Sequence, residues 1–142
     1  MSFIDQLGLS VPVLQAPMAG VSTPALAAAV SNAGALGAIG LGATDAAGAR
    51  GMIEQVRART ERPFNVNLFV HATPQPDPQR EAVWLDWFRP LFAQYGAPAP
   101  AALAAPYTSF EDDPDMLAML LALRPPVISF HFGLPTPAKV QA

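Results

Sequence analysis

Pro12-Val13-Leu14-Gln15-Ala16-Pro17-Met18-Ala19-Gly20-Val21-Ser22-Thr23-Pro24 runs on to Gly34-Ala35-Leu36-Gly37-Ala38-Ile39-Gly40. The order reads as buried strand, open turn, small-residue helix, glycine stop and second buried strand. Thr23 is a helix N-cap with Pro24 at the first helical position, and Gly34 ends that helix after about Asn32. Side chains along the turn are small and apolar, so they carry no acid–base or nucleophilic chemistry. A turn of this kind accommodates something flat and large lying against the backbone.

The same alternation continues outward. Asp45 caps a second helix through Ala49, Met52, Ile53 and Val56, with Arg57, Arg59 and Arg62 near its end, where cations suit the helix dipole. Residues 64–71, Phe-Asn-Val-Asn-Leu-Phe-Val-His, form a third strand. An amphipathic helix is expected over Arg80 to Tyr95, kinked or divided at Pro90. Residues 96–109 read as irregular. Asp113, followed by Pro114, caps a helix over Met116 to Leu123, which Pro125 and Pro126 stop. Residues 127–133, Val-Ile-Ser-Phe-His-Phe-Gly, form a fourth strand, and one more helical turn begins at Pro137.

Short apolar strands alternating with helices predict an α/β fold with a parallel sheet and right-handed crossovers. Doubly wound and barrel forms both remain open on this pattern alone. A closed eight-stranded (βα)8 barrel typically takes ~250 residues. Four strands over residues 1–142 therefore correspond to its N-terminal half, one partial barrel of four βα units that ends early.

Composition narrows the function classes. The chain is 51% hydrophobic and 13% charged, which is globular and too apolar for disorder. A net charge of −3 with no basic cluster argues against a nucleic-acid surface. The absence of cysteine excludes disulfides and thiolate metal sites and fits a cytoplasmic protein. The N-terminus lacks the basic region of a signal peptide. The apolar stretch from Ala25 to Gly42 is interrupted by Ser31 and Asn32, so no membrane span is expected. The 16 prolines cluster in loops and at element ends.

Strand parity selects the residues able to do chemistry. Val66, Leu68 and Val70 share one face, and Asn67, Phe69 and His71 the other. Likewise Ile128, Phe130 and Phe132 oppose Val127, Ser129 and His131. In a barrel the more apolar face packs on the helices, so Asn67 and His131 point inward near the strands' C-terminal ends, where barrel active sites sit. An imidazole there can serve as base, acid or hydrogen-bond donor. The competing reading is a core histidine satisfied by its neighbours. Asn67 offers a carbonyl and an NH2 on one plane, fit for the polar edge of a flavin or nucleobase, or simply for barrel neighbours. His71 reads as an exposed loop histidine. Two histidines and no cysteine make no metal cluster. Trp84, Trp87 and Phe88 read as a core-packing stripe, or as a cover for a barrel mouth or interface. Glu111-Asp112-Asp113 reads as a solvated cap. The glycines from Gly34 to Gly42 do not match a dinucleotide-binding fingerprint.

Four blocks in order resemble nitronate monooxygenases, formerly called 2-nitropropane dioxygenases. They are Gln15 to Pro24, Ala29 to Gly34, Asn67-Leu68-Phe69-Val70-His71, and Ser129-Phe130-His131-Phe132-Gly133-Leu134-Pro135, the last being the most specific. The resemblance covers most of the chain and is to the family's N-terminal portion. It implies an FMN-dependent (βα)8 enzyme that oxidises alkyl nitronates with O2 to a carbonyl compound and nitrite. Ala16, Pro17 and Met18 would line the flavin ring, Asn67 would hydrogen-bond it, and His131 would face the substrate. It further implies that the missing C-terminal half of the barrel holds the FMN phosphate, so that this stretch alone would bind flavin weakly or not at all and be inactive. Two alternatives stay open: a related flavin barrel such as a flavin-type enoyl-ACP reductase, and a truncated half-barrel acting as an interaction module.

Overall fold

The computed structural model describes residues 2–142. Residues 1–72 with 107–142 form one compact unit, and residues 73–106 a second. The first unit holds a parallel sheet of β1 (Gly37–Gly40), β2 (Phe64–Phe69) and β3 (Val127–His131), in that order. Its helices are α1 (Phe3–Gln6), α2 (Pro24–Asn32), α3 (Ala46–Arg57), α5 (Pro114–Leu123) and α6 (Pro137–Gln141), with a 3-10 turn at Phe110–Asp112. The second unit holds α4 (Pro78–Gln94).

The helix starts follow the local chemistry of the sequence. Thr23 Oγ1 accepts from Leu26 N at 3.2 Å, Asp45 Oδ1 from Gly48 N at 2.8 Å, and Asp113 Oδ1 from Met116 N at 2.9 Å. Each satisfies a backbone donor that a helix leaves unpaired at its first turn. The capping box of Ser2 and Asp5 at α1 adds a helix that the sequence reading lacked.

One face of the sheet packs against the helices. Ile39, Ile53, Val56 and Val66 are fully buried there with Phe64, Leu68, Met116 and Leu120. Burying each such aliphatic side chain stabilises the fold by about 1.5–3 kcal/mol. Gly37 sets how closely α2 approaches, since a Cβ there would overlap the Ala27 carbonyl.

Three expectations need correction. Val13–Ala16 is not a buried strand: only Leu14 bridges to Leu36, and Val13 and Leu14 are about half exposed. The Gln15 side chain takes over the pairing instead, donating to Ala38 O at 3.0 Å and accepting from Ala38 N at 3.2 Å. Helix α4 runs unbroken through Pro90, and begins at Pro78 because Asp77 caps it. Its aromatic stripe is not core: Trp87 is 70% exposed, and Trp84, Trp87 and Phe88 contact one another. Leu85 is the one buried residue of α4.

Candidate active site

The turn after Gln15 is built around Ser22, which is buried. Its hydroxyl donates to Ala16 O at 3.0 Å and accepts from Met18 N at 2.9 Å and Gln15 Nε2 at 3.2 Å. Ser22 N in turn donates to Met18 O at 2.8 Å, and Gly20 supplies the positive φ of +75° that the reversal requires. One hydroxyl thus fixes the backbone of Ala16, Pro17 and Met18. Ala16 is exposed, Pro17 half-buried and Met18 44% exposed, so this backbone presents an open surface.

The turn lies against the C-terminal end of β1. A Cβ at Gly40 would stand 3.2 Å from Ala19 N, so only glycine leaves the turn in place without adjustment. A cavity of about 300 Å³ adjoins it, lined by Gly20, Ser22, Gly40, Thr44 and Gln55 among others.

Strand register then carries the surface across the sheet. Gly40 pairs with Asn67, Asn67 with Ser129, and Phe69 with His131. Asn67 and His131 therefore occupy the same face of adjacent strands, two register steps apart. Asn65 and Asn67 both donate their side-chain N–H to Ser129 Oγ, at 2.9 and 2.8 Å. Asn67 Oδ1 accepts from no described residue, and Asn65 Oδ1 is buried without a partner among them. A row of amide carbonyls is thus left facing away from the helix layer.

Above this row lies an aromatic cluster. Phe69 contacts Tyr107 (5.3 Å between centroids), Phe132 (5.2 Å) and His131 (6.2 Å). A Cβ at Gly42 would overlap the Phe69 ring, so Gly42 makes room for it. His131 is exposed at the mouth, and its ring meets Phe132 at 4.2 Å. His71 is half-buried rather than exposed, with Nδ1 3.1 Å from Ala72 O and its ring 6.3 Å from Phe132.

One residue departs from strand parity. Phe132 was expected on the helix side with Ile128 and Phe130. The strand ends at His131, and Phe132 adopts φ +75°, which brings its ring into the His131 cluster. Sequence reasoning also passed over Ser22, Gln15 and Ser129. A polar residue inside an apolar run must find a partner when buried, which is the signal that marks all three.

A groove of about 660 Å³ lies on the opposite face of β3, among Phe110, Leu120, Ile128, Phe130, Lys139 and Val140. Its volume exceeds that of the cavity beside the turn, yet Asn67 and His131 face the other way. Among the described residues no group of His, Asp and Glu could hold a metal ion, and no helix is long and apolar enough to cross a membrane.

Parallel strands, helices on one face and polar residues on the other define the α/β class as part of a (βα)8 barrel. The family model described as nitronate monooxygenase matches residues 2–142, and the chain belongs to that family. It is 54% identical to a nitronate monooxygenase of Pseudomonas aeruginosa over 140 residues, covering 99% of this chain and 40% of that protein. It is 56% identical to one of Paraburkholderia phytofirmans over 135 residues, covering 95% of this chain and 37% of that protein. Among solved structures, the nitroalkane oxidase of Streptomyces ansochromogenes superposes with a TM-score of 0.77 at 38% identity, over 99% of this chain and 39% of that one. FabK of Thermotoga maritima superposes at 0.58 and 29% identity, over 91% and 29%. The chain thus spans about two fifths of the length of the curated relatives it matches.

Proposed function

We propose that residues 1–142 form the ring-facing part of an FMN-dependent nitronate monooxygenase barrel, which oxidises alkyl nitronates with O2 to a carbonyl compound and nitrite. The observation that carries this reading is the common face of Asn67 and His131, with Asn67 in register with Gly40, against which the backbone of Met18 and Ala19 lies.

The residues fit a flavin. The backbone of Ala16, Pro17 and Met18, held by Ser22 and flanked by small or apolar side chains, offers an ordered surface for the ring. The polar edge of an isoalloxazine alternates acceptor and donor groups. Asn67 Oδ1, which accepts from no described residue, suits its N–H donor, while the Asn67 NH2 stays engaged with Ser129. When bound, the flavin supplies the capacity to accept electrons from the nitronate and pass them to O2.

His131 faces the substrate. A nitronate is already a carbanion equivalent, so no proton need be removed from carbon. His131 then serves by orienting and stabilising the anion, donating a hydrogen bond to a nitro oxygen. For a neutral nitroalkane the same imidazole would have to take the α-proton. Phe69 and Phe132 wall the mouth with apolar rings, suited to an alkyl group.

The family match favours the monooxygenase over a flavin-type reductase. The test is made on flavin-loaded protein containing this chain, given an alkyl nitronate without NADH. Oxygen uptake matched by nitrite release is expected. Bleaching of the flavin by NADH, with no response to nitronate, would instead assign a reductase.

A further inference from the structure

In an extended strand, consecutive side chains face opposite sides of the sheet. Phe130 obeys this rule and stacks on Phe110, on the helix side, at 5.9 Å and 24°. Phe132 does not. At φ +75° its ring crosses to the other face and meets His131 at 4.2 Å and 71°, with Phe69 at 5.2 Å and 62°. Phe69 and His131 also meet, at 6.2 Å and 53°, so the three rings contact one another pairwise.

A bulky residue at positive φ is a backbone outlier that persists only where its surroundings over-determine it. The chain is anchored on both sides of Phe132. Val70 N donates to His131 O at 2.9 Å, and Gly133 lies so close that a Cβ there would come within 2.8 Å of Val70 O. Arg124, the other non-glycine residue at positive φ among those described, is a left-handed C-cap of α5. Phe132 caps no helix. Nor is it driven there by burial, since it is 68% exposed.

We propose that Phe132 is a positioning residue: its ring, turned inward by the left-handed backbone, holds the His131 imidazole in one orientation against Phe69. Its use in the reaction rests on the reading of His131 as the substrate-facing group; the ordering of the ring does not.

The test compares the flavin-loaded enzyme containing this chain, in its wild-type form, with its Phe132→Gly and Phe132→Tyr variants, all labelled with 13C,15N-histidine. Glycine adopts φ +75° freely, so that variant removes the ring while relieving the strained backbone. In the wild type, the His131 ring protons are expected upfield, and its χ1 couplings should report a single rotamer. In Phe132→Gly the shifts should return toward those of free histidine and the couplings should average. Phe132→Tyr should restore both. Averaged couplings in the wild type would overturn the proposal without recourse to any variant, as would unchanged couplings in Phe132→Gly. In the flavin-loaded enzyme containing this chain, Phe132→Gly should lower kcat more than it raises KM. An unchanged kcat despite a disordered His131 would overturn the positioning role. It would leave the assignment to nitronates standing, because nitrite release reports that separately.

Discussion

Asn67 donates its side-chain N–H to Ser129 Oγ at 2.8 Å, directly across the register pair that joins β2 to β3. The bond does two things. It ties the strands together on the face that lacks a helix layer, and it engages the Asn67 amide N–H while its carbonyl accepts from no described residue. Asn65 uses the same oxygen at 2.9 Å, so Ser129 serves two buried amides at once.

Ser129→Ala should therefore cost more than the loss of one hydroxyl. Two buried amide donors are left unsatisfied, at about 1–3 kcal/mol for each group. Urea unfolding of the variant should show a loss in that range or above. A loss within about 0.5 kcal/mol, the range of an ordinary surface substitution, would mean that the two amides find other partners.

Two glycines should respond in opposite senses. At Gly37 a Cβ would overlap the Ala27 carbonyl, backbone against backbone, so Gly37→Ala should destabilise by about 1–3 kcal/mol. At Gly51, inside α3, a Cβ meets nothing within 4 Å, and Gly51→Ala should stabilise by roughly 0.5–1 kcal/mol. Thermal melts of the two variants check both signs.

Gly40 separates stability from the site. A Cβ there would press on Ala19 N at 3.2 Å, and the exposed turn can yield by a few tenths of an ångström. Gly40→Ala should leave the melting temperature nearly unchanged and weaken flavin retention, read by fluorescence of released FMN. Full flavin content in the variant would separate the turn from the cofactor.

What the sequence made legible was local chemistry and strand parity. Thr23-Pro24, Asp45 and Asp113-Pro114 announce helix starts because a side-chain acceptor within three residues decides them. Parity put Asn67 and His131 on one face, and the register of β2 and β3 agrees. Phe132 was illegible because nothing in its own sequence signals a left-handed bulky residue. The cause is tertiary, in the approach of Val70 to Gly133. Val13–Ala16 misled for a related reason. Its apolar character reads as strand, yet the Gln15 side chain supplies Ala38 with the partners a strand would have given.

The sheet has unpaired edges among the described residues: only the Leu14–Leu36 bridge lies beside β1, and no strand pairs with the far side of β3. With Val13 and Leu14 half exposed and Leu134 82% exposed, the 142-residue chain alone should self-associate. Size-exclusion chromatography should show species above monomer mass. A clean monomer across the concentration range would contradict this.

His131 is the residue on which the proposed chemistry depends. Oxygen uptake with an alkyl nitronate, measured on the flavin-loaded enzyme containing this chain, tests it most directly against His131→Ala. The predicted result is a fall in kcat/KM of about 10²-fold or more, with flavin content unchanged. Equal kcat/KM in the two proteins would remove His131 from the mechanism and contradict the account.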